Sequence, residues 1–208
     1  MILIGQYDSP FVRRVGIALT LYGLPFEHRP WSSFGDTEKI RAYNPLTRVP
    51  TLVLEDGLAL IESHSMLDHL DRVVGPDRAM FPVAGRERDL ALRIAALATG
   101  LGDKVVSLFY ERRLHASVSP LWIERCTTQI QATARVLEAE RAQVRGDYWS
   151  GPRIGHADIA LAVVLRFVNE VHPGLLPMDE FPALRAHAAH HEALPVFQAV
   201  AQAFVPPA

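Results

Sequence analysis

Strand signals in this chain stop before Pro82, and only helical patterns follow. Short runs typical of strands occur at 2–5, 26–30, 51–54 and 58–61. The last two runs flank Asp56-Gly57, a dipeptide that favours a tight hairpin turn. The order of strands and intervening helical segments predicts a small sheet, partly parallel and partly antiparallel, with helices packed on it.

Two helices are predicted among these strands. Ser9 and Pro10 place a capping residue before a proline at the first helical position, and apolar residues then recur at helical spacing until Gly23. A second helix is predicted over 63–74, where Gly75 follows the last helical residue. Each helix directly follows a strand, which is the arrangement of an α/β domain.

The second part of the chain is predicted to be an all-helical bundle. Its helical patterns occupy 86–114, 120–144, 156–171, 182–191 and 195–204. Glycine and proline cluster over 75–85, which indicates a boundary between the two parts. We therefore predict an α/β domain at 1–78 and an all-α domain at 86–208.

Composition narrows the classes of function. The 21 Lys+Arg and 23 Asp+Glu give a net charge of -2, without the basic excess typical of nucleic-acid binding. The single cysteine, Cys126, excludes a disulfide framework and a Cys-x-x-Cys redox centre within one chain. The N-terminus lacks a secretory pattern, and the longest apolar stretch, around 159–168, is too short to span a bilayer. We expect a cytoplasmic protein that binds neither nucleic acid nor membranes.

Two polar features stand out in the helical part. Asp158 lies three residues after Gly155, so its carboxylate can accept from the Gly155 N–H and form half of a capping box. His187, His190 and His191 lie near the C-terminus, and the first and last share a helix face. Because the sequence suggests no further ligand, a solvated histidine-rich face is favoured over a metal site.

The order and spacing of several short segments resemble the cytosolic glutathione transferases over essentially the whole chain. These segments are Ser9-Pro10-Phe11-Val12-Arg13-Arg14-Val15, Asn44-Pro45-Leu46-Thr47-Arg48-Val49-Pro50-Thr51-Leu52, the Asp56-Gly57 hairpin and Glu62-Ser63. The resemblance is to a bacterial, serine-type member. It implies a thioredoxin-like α/β domain followed by an all-α helical bundle, and a homodimer. It also implies glutathione as co-substrate, with no metal or redox cofactor.

The resemblance assigns residues to each part of glutathione. A cis Val49-Pro50 bond turns the Val49 main chain toward the cysteinyl unit, Ser63 and Glu62 suit the γ-glutamyl carboxylate and ammonium, and Arg48 suits the glycyl carboxylate. From the residues alone, Pro50 could simply begin a strand, Ser63 cap its helix and Arg48 lie in solvent. The implied glutathione-binding set is Ser9, Phe11, Arg48, Val49, Pro50, Glu62 and Ser63.

Ser9 is the residue on which catalysis is expected to depend. A free thiol has a pKa of about 8.5, and lowering it by about two units requires roughly 2.7 kcal/mol. A hydrogen bond to a charged group contributes about 1.5–3 kcal/mol, and a helix N-terminus adds about 0.3–1 kcal/mol. A hydroxyl at Ser9 is therefore sufficient to stabilise a thiolate. The alternative is a purely structural role, in which Ser9 only caps its helix.

Tyr7 is the alternative to Ser9 for the thiol contact. Some classes of the family place a tyrosine six residues before an arginine, which is the spacing of Tyr7 and Arg13, and others place a serine four residues before it. Ser9 is favoured because it opens the helix directly. Arg13 itself is expected to make a structural ion pair.

The predicted function is that of a glutathione transferase, in which a glutathione thiolate attacks a small apolar electrophile. Tyr110 is a candidate for the hydrophobic substrate pocket, with a core aromatic as the alternative. Two other functions stay open: a non-catalytic protein that binds glutathione or apolar ligands, and a glutathione-dependent isomerase, dehalogenase or lyase. The pKa of the bound thiol distinguishes the first, and a substrate screen distinguishes the second.

Overall fold

β1 (Ile2–Ile4) is an interior strand of a four-stranded sheet with the order β2-β1-β3-β4. The other strands are β2 (Glu27–Arg29), β3 (Thr51–Val53) and β4 (Ala59–Ile61). β2 pairs with β1 in parallel, whereas β3 pairs antiparallel with both β1 and β4. The predicted mixed sheet and hairpin are confirmed, with strands slightly shorter than their sequence patterns.

The computed structural model describes residues 1–206, which divide into two units. The first unit contains the sheet and comprises Met1–Val83 together with the segment from Leu194 onward. The second unit comprises Ala84–Ala193 and is helical. The division predicted from the sequence differs in its last segment, because the helical pattern there assigns that segment to the all-α domain.

Three of the helices of the first unit lie between its strands or directly after β4. They are α1 (Pro10–Tyr22), α2 (Thr37–Arg41) and α3 (Ser63–Val74). As predicted, the Ser9 hydroxyl caps α1 by accepting from the Val12 N–H at 3.5 Å, and α1 ends at Gly23, whose φ of 64° suits glycine. The same sequence that opens α1 therefore places a serine hydroxyl at its N-terminus.

The sheet separates two apolar layers because neighbouring side chains of β1 point to opposite faces. Leu3 packs with α1 and α3, whereas Ile4 packs with Ile40 of α2. The larger cluster comprises Leu3, Val12, Val15, Ala18, Leu19, Tyr22, Leu52, Met66, Leu67 and Leu70. This packing fixes the N-termini of α1 and α3 against the same face of the sheet.

The second unit is built from four α-helices and a short 3-10 helix at Met178–Glu180. The α-helices are α4 (Gly85–Leu114), α5 (Pro120–Arg141), α6 (His156–Val171) and α7 (Pro182–Glu192). α6 is buried over most of its surface, in agreement with its mainly apolar sequence. None of the helices in residues 1–206 combines the length and apolarity that a membrane crossing requires.

A short helix, α8 (Pro195–Ala199), completes the first unit by packing on α1. Arg13 of α1 donates from Nε to the Val200 carbonyl at 2.7 Å and from Nη2 to the Phe197 carbonyl at 2.8 Å. The structural role expected for Arg13 therefore includes two main-chain carbonyl oxygens among its partners. These buried contacts tie the last segment to α1, and they are invisible to sequence periodicity.

Candidate functional site

A small cleft at the N-terminus of α3 collects side chains from distant parts of the first unit. Its lining consists of Phe11, Asn44, Arg48, Val49, Pro50, Glu62 and Ser63. Apart from Asn44, every one of these residues belongs to the glutathione-binding set predicted from the sequence. Ser9, the remaining member of that set, is not among the lining residues.

The Val49-Pro50 peptide bond on one wall of the cleft is cis, as the resemblance implied. Gly5, which follows β1, makes this placement possible. A Cβ at Gly5 would lie 2.5 Å from Cγ2 of Val12 and 2.8 Å from Cβ of Val49, and the φ of Gly5 is 130°. Only glycine therefore lets the end of β1, the start of α1 and the Val49 wall meet this closely.

Asn44 is the lining residue that sequence reasoning missed as a functional side chain. It is 1% exposed, and its Nδ2 donates to the Arg48 carbonyl at 3.0 Å and to Oγ1 of Thr51 at 3.1 Å. Its Oδ1 accepts from the Leu46 N–H at 3.0 Å. The amide thus fixes the loop that carries Arg48 and Val49. The Asn44-Pro45 pair belongs to one of the segments that resemble the family. The spacing of residues along the sequence does not show which groups the Asn44 amide binds.

Glu62 immediately precedes α3 and has a left-handed φ of 66°. A non-glycine residue in this region stores about 1–3 kcal/mol of strain, and such residues concentrate at functional sites. Its carboxylate pairs with Arg48 at 3.1 Å, and both side chains are more than half exposed. An ion pair this exposed contributes little to stability, so both groups can exchange partners for a charged ligand at small cost.

Ser63 begins α3 beside a buried cation, Arg14. Ser63 is 3% exposed, and Nη1 of Arg14 lies 3.5 Å from its hydroxyl oxygen. Arg14 is 1% exposed, and its Nε and Nη2 have no hydrogen-bond partner among residues 1–206. Desolvation by burial lowers the pKa of Arg14 to about 9, which leaves it cationic at neutral pH. A buried positive charge and a helix N-terminus together favour an anion at Ser63.

Ser9 and Tyr7, the two candidates for the thiol contact, differ in their surroundings. Tyr7 stacks on His28 with ring centroids 3.9 Å apart, and its ring occupies the space above Gly16, where a Cβ would lie 2.7 Å from Cε1. Burial raises the pKa of Tyr7, which keeps the phenol protonated at neutral pH. Ser9 is partly buried and caps α1. Only Ser9 lies at the N-terminus of a helix, and the choice of Ser9 over Tyr7 as the donor stays a prediction.

Tyr110, the candidate for the apolar substrate pocket, lies on α4 and is 37% exposed. Its ring centroid is 5.9 Å from that of Phe109. This exposure argues against the alternative that Tyr110 is a core aromatic, because a core ring is shielded from solvent. Its role in binding a second substrate stays a prediction.

The prediction of a solvated histidine-rich face is wrong for His187 and His191. They are 1% and 0% exposed, and their ring centroids are 4.1 Å apart. Nε of Arg141 donates to Nδ1 of His187 at 3.2 Å. Desolvation lowers the pKa of His187 to about 3 and that of His191 to about 4, so both are neutral at pH 7. Helical spacing showed that the two share a face but not that α5 and α6 cover it.

Asp158 joins these histidines, and the three offer donor atoms within 4.8 Å of one another. A divalent metal would use such a set, but most of the donors are already engaged. The Asp158 carboxylate accepts from Gly155 N–H at 2.9 Å and from Trp149 N–H at 2.8 Å, which confirms the predicted half capping box. His187 contacts the Asp158 carbonyl through Nε2 at 3.1 Å. With cationic Arg141 also present, this cluster acts as a structural network.

Comparison with known proteins assigns both units to one family. The family model described as glutathione S-transferase, N-terminal domain, matches residues 3–77, and that described as glutathione S-transferase, C-terminal domain, matches residues 120–190. The GST-like protein YibF of Escherichia coli (strain K12) is 33% identical over 178 residues, which cover 84% of this chain and 86% of YibF.

Two solved structures resemble the chain over nearly its full length. A glutathione S-transferase from Methylobacterium radiotolerans, in complex with glutathione sulfonate, has a TM-score of 0.89 at 28% identity and covers 100% of this chain and 98% of its own. A glutathione transferase family member from Pseudomonas fluorescens Pf-5, with bound glutathione, has a TM-score of 0.82 at 27% identity and covers 96% of this chain and 97% of its own.

Proposed function

Because this chain belongs to the glutathione S-transferase family, we propose that it binds glutathione in the cleft at the start of α3 and joins the glutathione sulfur to an apolar electrophile. The observation that carries the proposal is the cleft lining. Apart from Asn44, it consists of residues that the sequence assigns to glutathione. The glutathione and glutathione sulfonate in the two similar structures support the same ligand class.

The proposed ligand contacts follow from the charges around the cleft. The γ-glutamyl carboxylate binds at the N-terminus of α3 and Ser63, above the buried charge of Arg14. Glu62 accepts from the ligand's ammonium group, and Arg48 pairs with its glycyl carboxylate. The main chain of Val49, beside the cis bond, pairs with the cysteinyl unit. Both ends of a zwitterionic tripeptide thus have oppositely charged partners.

In the proposed reaction the cysteinyl thiol loses its proton to solvent and the Ser9 hydroxyl donates to the resulting thiolate. The sulfur then forms a bond to the electrophilic carbon of the second substrate, and the leaving group departs with the electron pair of the broken bond. A charge-assisted hydrogen bond of about 1.5–3 kcal/mol is the main contribution required of Ser9. Its place at the N-terminus of α1 supplies the rest.

Binding of glutathione without turnover is the second candidate function. It is favoured by one observation, the absence of Ser9 from the cleft lining. The two functions differ in the pKa of the bound thiol, because a binding protein has no need to lower it. An isomerase, dehalogenase or lyase activity would use the same residues, and a substrate screen separates these from conjugation.

The decisive experiment titrates the thiol of bound glutathione by its ultraviolet thiolate absorbance in wild type, Ser9→Ala and Tyr7→Phe. We expect a depressed pKa in wild type and in Tyr7→Phe, and a rise of about one to two units in Ser9→Ala. An unshifted wild-type value supports the binding protein. If Tyr7→Phe loses activity while Ser9→Ala keeps the wild-type thiol pKa and activity, Tyr7 and not Ser9 contacts the thiol.

A homodimer, a cytoplasmic location and a role in detoxification are further parts of the proposal, and they rest on the family resemblance. Analytical ultracentrifugation tests the first directly. A monomer at micromolar concentration contradicts the homodimer without affecting the proposed chemistry.

A further inference from the structure

The last segment of the first unit contacts the chain on both sides of Ser9. Oε1 of Gln202 accepts from the Tyr7 N–H at 3.2 Å, and Oδ2 of Asp8 accepts from the Val205 N–H at 3.2 Å. On the far side of Ser9, the guanidinium of Arg13 holds the Val200 carbonyl at 2.7 Å. The loop before Ser9 and the first turn after it are thus both bound by residues 200–205.

The loop that presents Ser9 is a turn outside the sheet and outside α1. The Ser9 N–H closes it by donating to the Gln6 carbonyl at 3.2 Å, and its four residues are partly buried. The Gln202 amide binds the middle of this turn, at the peptide N–H two residues before Ser9. Fixing that peptide plane limits how the turn can rotate, and with it the direction of the Ser9 hydroxyl.

We propose that Gln202 is a positioning residue for Ser9, an inference that rests on the proposed role of Ser9 as thiolate donor. A hydrogen bond to the sulfur is sensitive to distance and angle, so a donor on a mobile turn stabilises the thiolate less than one that is held in place. Gln202 does not contact the ligand in this proposal. It acts only through the turn.

Gln202 can be changed without releasing the segment that carries it. Arg13 binds the carbonyls of Phe197 and Val200, and Val200 packs against Gly16, where a Cβ would lie 3.1 Å from Cγ1 of Val200. These anchors precede Gln202 in the chain. Replacing the Gln202 side chain therefore removes the acceptor for the Tyr7 N–H and leaves α8 attached.

The test compares Gln202→Met, which keeps side-chain length but loses the amide, with the same substitution at Gln198, an exposed residue of α8. We expect Gln202→Met to raise the pKa of bound glutathione by about half a unit to one unit, a three- to tenfold change in its ionisation constant. The KM for glutathione should change less than about twofold. Gln198→Met should match wild type. An unchanged thiol pKa in Gln202→Met overturns the inference.

A double-mutant cycle separates this inference from the proposed function. If Gln202 acts through Ser9, Gln202→Met has no further effect on the thiol pKa in a Ser9→Ala background. An additive effect shows that Gln202 acts by another route and overturns the inference. If Ser9→Ala leaves the thiol pKa at the wild-type value, the proposed function itself fails.

A second variant, Gln202→Ala, tests whether Gln202 has a purely structural role. Gln202→Ala also lacks the acceptor but creates less steric demand than methionine. Both variants should raise the thiol pKa alike, whatever their thermal unfolding midpoints. A thiol pKa that follows the unfolding midpoint and not the loss of the amide contradicts the inference.

Discussion

Nη1 of Arg14 lies 3.5 Å from the hydroxyl oxygen of Ser63, and both side chains are buried. No ion pair joins Arg14 to any carboxylate among residues 1–206, so its charge is uncompensated where the ligand's carboxylate is proposed to bind. We expect Arg14→Met to raise the KM for glutathione about tenfold, a loss of about 1.4 kcal/mol. The free energy of unfolding should stay equal or rise, because an unpaired buried charge opposes folding.

Arg13→Met is the matched control for this prediction. It removes the guanidinium that donates to two main-chain carbonyl oxygens. The free energy of unfolding should therefore fall by about 1–3 kcal/mol. Urea titrations and initial rates measure both quantities. If Arg14→Met destabilises the protein as strongly as Arg13→Met and leaves the KM unchanged, Arg14 has a structural role only.

Gly5→Ala should destabilise the protein by about 2–4 kcal/mol, because the new Cβ would lie 2.5 Å from Val12 and 2.8 Å from Val49. Glutathione affinity should fall with it, since Val49 forms a wall of the cleft. Gly23→Ala is the control: its φ of 64° costs about 1 kcal/mol, but nothing lies within 4 Å of the added atom. Equal losses in the two variants would mean that the contact with Val49 does not matter.

Arg48→Ala should raise the KM for glutathione about five- to tenfold and change the free energy of unfolding by less than about 0.5 kcal/mol. The reason is that the Arg48–Glu62 pair is exposed and lies in the cleft. Arg41→Ala removes a comparably exposed pair with Glu38 outside the cleft and should leave the KM unchanged. A normal KM in Arg48→Ala removes Arg48 from the proposed site.

The free energy of unfolding should decline as pH falls below about 6.5, because His187 and His191 are buried in their neutral form. Their pKa values in the folded protein, about 3 and about 4, lie below the unfolded value of about 6.5. The unfolded chain therefore binds more protons in this range. Each histidine contributes stability that is complete above pH 6.5 and is lost as pH falls toward its folded pKa, at up to about 1.4 kcal/mol per pH unit.

Asp158 opposes this trend. Desolvation raises its pKa in the folded state to about 6, so the folded protein binds a proton between about pH 4 and 6 that the unfolded chain does not bind. The stability that Asp158 contributes is present below pH 4 and lost above pH 6. This pH dependence is opposite to that of a histidine and offsets the loss caused by one of them. Urea unfolding at pH 5 and pH 7 should show a steeper loss in Asp158→Asn and a shallower one in His187→Gln. Equal pH slopes in the three proteins would contradict the assignment.

Sequence patterns predicted the elements whose cause is local. α3 and α6 occupy the predicted residues because Ser63 follows a strand, Gly75 ends one helix and Gly155 precedes the other. The resemblance added the cis Val49-Pro50 bond, which local propensity alone does not specify. Apart from Asn44, the residues that line the cleft followed from the same resemblance, and they lie at strand ends, in loops or at helix starts.

Burial of polar side chains could not be predicted, because it depends on which elements cover them. Arg14 sits between two residues of an amphipathic pattern, and nothing in that pattern shows an unpaired charge beside Ser63. His187 and His191 look solvent-exposed on α7 until α5 and α6 are packed against it. Gln202 lies 195 residues from Tyr7, and no spacing rule joins positions so far apart.

The α/β unit is discontinuous along the polypeptide, because α8 and the residues after it pack on α1. The ribosome synthesises the entire helical unit before the segment that Arg13 binds. The α/β unit of the nascent chain therefore stays incomplete until α8 and the residues after it have been synthesised. The contacts around Ser9 therefore form only after the whole helical unit has been synthesised, and a chain without residues 200–205 would keep most of its fold and lack those contacts.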